Sequence, residues 1–174
     1  MGREVRMVPP NWAHPIQQGW RDDRLQPMYD KTFDEAAREW REGFLKWEGG
    51  ERAERLAAGK DDFEFWEWEG EPPTREYYRP WKDEDATWFQ LWETVSEGTP
   101  VSPPFATRDE LANYLASSGD FWDQKRGDKP WGKAAADAFV KSGWAPSMMV
   151  VVGQGVVDSK DIPLHFEQTT PVSP

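Results

Sequence analysis

The sequence predicts an α+β fold: a mainly helical single domain of about four helices, closed by a small C-terminal antiparallel hairpin or sheet. Three observations carry this. Two segments open on a capping signal, "TFDE" and "TRDE", and each leads into apolar residues at helical spacing. The segment "SMMVVVGQGVVDS" has two apolar β-branched runs around "GQG", the pattern of a hairpin. Twelve Trp are spread from Trp12 to Trp144, which supplies bulky material for a core although hydrophobic residues make up just 37% of the chain.

Residues 1–31 read as an extended N-terminal arm. Pro9, Pro10, Pro15 and Pro27 deny them a long helix. "EVRMV" suits an edge strand or an arm, and Trp12 and Trp20 would pin it to the body. Residues 32–168 read as one globular domain. Its first helix is "TFDEAAREWREGFLKW": Thr32 and Glu35 form a capping box, and Phe33, Ala36, Ala37, Trp40, Phe44 and Trp47 share one face. Gly49 and Gly50 stop it, and "ERAERLAAGK" would add a further helical turn.

The stretch "DDFEFWEWEGEPP" sets Phe63 and Phe65 on one parity and Trp66 and Trp68 on the other, so it is expected to run extended across a helix with its glutamates in water. A second helix is expected after Asp83 as N-cap, with Trp88, Phe89, Trp92 and Val95 as its buried stripe. A third starts at Thr107, turns Leu111, Tyr114 and Leu115 inward and closes at Gly119. "DFWDQKRGDKPWG" reads as a polar loop anchored by Phe121 and Trp122. A fourth helix is expected from about Pro130 to Ser142, capped near Asp128 and ended by Gly143. Residues 169–174 read as a flexible tail. Trp40, Phe44, Trp88, Trp92, Leu111, Leu115 and Phe139 are the expected core.

Charge and composition narrow the function classes. Net charge is -11, which disfavours direct binding to nucleic acid or anionic membrane and favours a basic partner. The absence of cysteine excludes disulfides and thiolate metal sites. "MGREVRMVPP" has no apolar stretch of signal-peptide length, and the longest apolar run, Met148 to Val152, is far too short to span a bilayer. The expected workplace is cytosolic.

No motif stands out as catalytic, and no cofactor or metal is expected. His14 and His165 are far apart in sequence, whereas zinc needs several converging ligands. "GQG" is too short for a phosphate-binding loop. Ser102 and Ser147 have no histidine nearby in sequence and read as turn residues. "KRGDK", Lys125 to Lys129, reads as a solvated loop rather than a nucleic-acid groove. Carboxylates are abundant, so paired acids of a carbohydrate-active enzyme are an alternative; that reading needs two carboxyls about 5–10 Å apart in a cleft.

The acidic–aromatic strip is the candidate protein-binding surface. Asp61, Asp62, Glu64, Glu67, Glu69 and Glu71 form it, and Asp83, Glu84 and Asp85 could extend it. Carboxylates over a rigid aromatic base can imitate the phosphates of DNA to a basic groove, provided that they line one face. For any individual acid, an ordinary solvated edge over core aromatics is the competing reading.

"GREVRMVPPNWAHP", "FEFWEWEGEPP", "SEGTPVSPPFATRDELANYLA" and "GWAPSMMVV" together resemble, in the same order, a widespread family of proteins encoded by tailed bacteriophages and prophages. The resemblance implies a phage origin, with the host cell cytoplasm or the virion as workplace, and no catalytic residues. The expected function is that of a non-enzymatic accessory protein binding a host or phage protein through its acidic surface, for example as an inhibitor of a host defence system such as CRISPR-Cas. A virion structural or assembly protein is the alternative, and exposed aromatics would also permit a homodimer.

Overall fold

The computed structural model describes residues 2–19, 23–51, 64–94, 97–146, 148–151, 153 and 155–161. The chain forms two compact units, residues 1–27 with 81–174, and residues 28–80.

The first unit is built on a four-stranded antiparallel sheet. Its strands are β1 (Gly2–Val8), β6 (Trp88–Thr94), β7 (Gly98–Pro100) and β8 (Trp144–Pro146), in the order β7-β6-β1-β8. β1 pairs with β6 along its whole length, from Gly2 opposite Thr94 to Val8 opposite Trp88. The N-terminal segment is therefore an interior strand, not an edge or an arm. This sheet also corrects the expected fold class: the protein is α+β, but not mainly helical.

The difference lies mainly in β6. "WFQLW" was expected to be a helix starting at Asp83; residues Asp83–Asp85 form a single 3-10 turn, and the chain then runs extended. Gln90, Leu91 and Trp92 are all buried, so β6 is covered on both faces. A strand buried on both faces carries an almost continuous apolar run, in which helical and strand periods fit equally well. Aromatic residues favour the pleated alternative. Val95, the last residue of the supposed stripe, lies outside the described residues.

Three helices cover one face of the sheet: α3 (Arg108–Ser118), α4 (Phe121–Arg126) and α5 (Lys133–Ser142). Thr107 caps α3 as expected. Its hydroxyl accepts from the Glu110 amide at 3.2 Å, and Glu110 accepts from the Thr107 amide at 3.0 Å. α4 stands where a polar loop was expected, and α5 starts at Lys133 with Gly132 as N-cap, later than expected. Leu91, Leu111, Leu115, Trp131, Phe139 and Val140 form the core between helices and sheet. Each such side chain contributes about 1.5–3 kcal/mol on burial. β9 (Met148–Val151) and β10 (Gly155–Asp158) make the antiparallel hairpin foreseen around "GQG". A short pair, β2 (Ile16–Gln17) with β3 (Arg24–Leu25), completes the described strands of this unit.

The second unit holds α1 (Phe33–Glu48), α2 (Phe65–Glu69) and a parallel strand pair, β4 (Tyr29–Thr32) with β5 (Tyr78–Arg79). α1 begins and ends where its sequence indicates, with the Thr32–Glu35 capping box in place and Gly49 as C-cap. α2 corrects the extended reading of the acidic strip. Phe65 and Trp68 are one helical turn apart, so a helix points both at the cluster that Trp40, Phe44 and Trp47 make on α1. Residues 52–60, where a further helical turn was expected, lie outside the described residues. Of the expected core, Trp92, Leu111, Leu115 and Phe139 are buried, while Trp40, Phe44 and Trp88 are half-buried.

Candidate functional site

Glu64, Glu67, Glu69 and Glu71 belong to the 28–80 unit, and all four are exposed. Three of them fall on or beside α2. The Glu64 amide donates to Glu67 Oε2 at 2.9 Å, so Glu67 is engaged in fixing the start of the helix. Beneath them Phe65, just 3% exposed, meets Trp40, Phe44 and Trp47 edge-on, at centroid distances of 5.1, 5.6 and 5.9 Å. Trp40 and Phe44 stack almost parallel at 5.7 Å. The carboxylates thus ride on a packed aromatic base, which gives them a fixed backbone. Asp61 and Asp62 lie outside the described residues.

A cleft of about 300 Å³ opens in the same unit, lined by Trp40, Phe65, Pro73 and Tyr78 and by the charged groups Lys31, Glu39 and Glu69. The Trp40 indole N–H donates to the Gly70 carbonyl at 3.1 Å, which fixes the ring. Of these residues, Glu69 alone was singled out in the sequence as a site candidate.

Asp83, Glu84 and Asp85 belong to the other unit, where all three are exposed on their 3-10 turn. Glu84 lies 3.8 Å from Lys82. An exposed pair of this length contributes little to stability.

Two fully buried carboxylates went unnoticed in the sequence. Asp120 caps α4, accepting at Oδ1 from the amides of Trp122 and Asp123 at 2.8 and 3.0 Å. Its Oδ2 lies 3.0 Å from Arg3 Nη2, close enough for an ion pair although not aligned as a hydrogen bond. Asp123 Oδ1 is 2.7 Å from Lys160 Nζ, and its Oδ2 accepts from the Trp131 indole at 3.1 Å. Arg3 also reaches Asp158 at 3.2 Å. The signal was present: "GDFWD" places aspartates at N-cap and N3 just after a helix-ending glycine. These acids are neutralised inside the fold, so they act as fasteners rather than as a free acid–base pair.

The sheet face turned away from the helices holds a second polar–aromatic group. The Arg6 guanidinium lies 4.5 Å over the Trp92 ring, and Arg6 pairs with Glu4 at 2.5 Å. The His14 ring meets Trp92 edge-on at 5.0 Å, and its Nε2 is 2.7 Å from the Gln26 carbonyl. Burial holds His14 below its ordinary value of 6.5; the Gln26 carbonyl opposes this, and Arg6 adds to it. The folded chain therefore keeps His14 neutral, whereas the unfolded chain takes up a proton below about pH 6.5. The stability involved is present above that pH and is lost as pH falls towards the folded value. Urea midpoints measured at about pH 7.5 and about pH 5 should differ less in His14→Asn than in the wild type. An equal difference in both would remove His14 from this role.

A larger groove of about 760 Å³ runs beside α3 and α5, lined by Arg108, Asp109, Asn113, Lys133, Asp137 and Lys141 among others. It mixes both signs of charge, and Lys133 is paired with Asp137. Ser102 serves as a local backbone partner, accepting from the Leu91 amide at 2.9 Å. His165 and Ser147 lie outside the described residues. Among the described residues no group of three or more His, Cys, Asp or Glu is arranged to hold a metal ion, and no helix is long and apolar enough to cross a membrane.

No family model matches the chain, and no curated protein or solved structure matches it either.

Proposed function

We propose that the protein is a non-enzymatic binding protein that engages a basic surface of another protein through its exposed carboxylates. The observation that carries this reading is the arrangement around α2: four exposed glutamates between positions 64 and 71, on and flanking a helix fixed by the packing of Phe65 against α1. Such a surface comes to its partner already ordered, so little conformational entropy is lost on binding. The net charge of -11 adds long-range attraction to any basic partner. The phage resemblance directs the search to a host defence complex whose nucleic-acid groove these acids would occupy, in the cytoplasm of an infected cell.

The test is affinity capture from host cells, followed by binding measurements on the captured protein. Association should slow by about tenfold or more when salt rises from about 50 mM to about 500 mM. Combined neutralisation, with Glu64→Gln, Glu71→Gln, Asp83→Asn, Glu84→Gln and Asp85→Asn, should slow it similarly at low salt. Capture of virion components alone, with rates indifferent to salt and to these substitutions, would replace this reading with one of particle assembly.

A further inference from the structure

We infer that the cleft of the 28–80 unit receives an arginine side chain of the partner protein; this rests on the acidic-surface reading and names the group that the surface would grip. Its walls are aromatic and prearranged. The Trp40 ring is held by its bond to the Gly70 carbonyl and by Phe44 stacked on it. Tyr78 is held by stacking on Tyr29 at 5.2 Å. Phe65 sits close against the backbone of α1 because position 43 is glycine: a Cβ there would come within 3.1 Å of the Phe65 ring.

The charges in the cleft choose the ligand. Lys31 pairs with Glu39 at 2.5 Å, so the second carboxylate, Glu69, has no ionic partner among the described residues. Among the described lining residues, two carboxylates against one ammonium leave a net charge of −1 among aromatic faces. That combination suits a cation with a flat, weakly hydrated surface. A guanidinium stacks on an indole or phenol ring and presents a fork of N–H donors to a carboxylate at once, which an ammonium cannot do. A sugar ring also stacks on tryptophan, but it gains nothing from an unneutralised carboxylate that the guanidinium does not gain more strongly.

The probe is a Gly-Arg-Gly peptide blocked at both ends, titrated into the 15N-labelled full chain. Matched peptides carry lysine or the uncharged isostere citrulline. The Trp40 indole N–H signal should shift and saturate with the arginine peptide, with lysine binding about threefold more weakly and citrulline about tenfold more weakly. Glu69→Gln, an exposed substitution, should weaken the arginine peptide by about threefold to tenfold without moving the other indole signals. An unmoved Trp40 signal overturns the inference, as does equal binding by Glu69→Gln or by citrulline. If a glucose oligomer moves Trp40 and the arginine peptide does not, the cleft is a carbohydrate site and the inference fails. Shifts at the amides of Glu64, Glu71 or Asp83–Asp85 with Trp40 unmoved would remove the pocket and leave the acidic-surface reading standing. No shift at either place removes both.

Discussion

Replacing Trp92 by alanine is expected to lower the free energy of unfolding by about 3–5 kcal/mol. Trp92 has no solvent exposure. It stands in β6 between Glu4 of β1 and Pro100 of β7. Arg6 lies across its face and His14 against its edge. Removing the indole would leave a void that these neighbours cannot fill, because Arg6 is itself fitted against Gly98, where a Cβ would come within 2.8 Å of its Nη2. It would also leave a 5%-exposed guanidinium without its aromatic partner. Trp92→Phe is the control. It keeps a ring for Arg6 and His14 and removes an indole N–H that has no hydrogen-bond partner among the described residues, so it should cost markedly less than alanine. Urea unfolding of the three proteins measures both differences. Equal midpoints for wild type and Trp92→Ala would show that the sheet face turned from the helices contributes nothing to the fold.

The contrast between α1 and β6 explains what the sequence made legible. α1 is buried on one side, and its apolar residues therefore keep a single period framed by Thr32 and Gly49. The same holds for α3, whose ends are marked by Thr107 and Gly119. β6 is buried on both sides, so its period is erased and its neighbours decide its conformation. β1 adds a further difficulty: Arg3 and Arg6 are 7% and 5% exposed. Charged residues in a short N-terminal run look like a solvated arm. What admits Arg3 to the interior is distant in sequence, namely Asp120 and Asp158; Arg6 has Glu4 close by, but the Trp92 ring under it is distant as well.

The candidate site was legible in its charge and not in its shape. The run of glutamates from Glu64 to Glu71 is visible as composition, and their exposure follows from the cost of burying an unpaired carboxylate. The cleft is different. It needs Trp40 from α1, Phe65 from α2 and Tyr78 from β5 to converge, and no spacing along the chain announces a meeting of residues 25 and 13 positions apart. The sequence signal nearest to it is Gly43, a glycine in the interior of α1. Such a position costs about 1 kcal/mol against alanine and asks for a packing reason, here the Phe65 ring.

Asp123→Ala should destabilise the 1–27 and 81–174 unit by about 3–5 kcal/mol, because it removes the carboxylate of a buried ion pair and leaves Lys160 facing the more distant Asp128, 4.0 Å away. Asp123 has no solvent exposure, and the change takes the nearest anion from the Lys160 ammonium and the acceptor from the Trp131 indole N–H together. It also removes the acceptor for the Asp120 amide at 3.1 Å. Asp123→Asn separates the contributions: it retains an acceptor for Trp131 and loses the charge, so its cost should fall between wild type and alanine. Lys160 supplies a second check through pH. Burial lowers its proton affinity, but the hydrogen bond to Asp123 and the charges of Asp123, Asp158 and Asp128 outweigh this, so it stays protonated above its ordinary 10.5. A raised lysine contributes stability that is complete below 10.5 and is lost as pH rises through the folded value. The wild type should therefore lose stability in the alkaline range more steeply than Asp123→Asn, in which Lys160 has lost its nearest anion. Parallel alkaline unfolding curves for the two would mean that the Asp123–Lys160 contact does not fasten the C-terminal turn at Ser159–Asp161 to α4, and the buried carboxylates would then need another reason to be there.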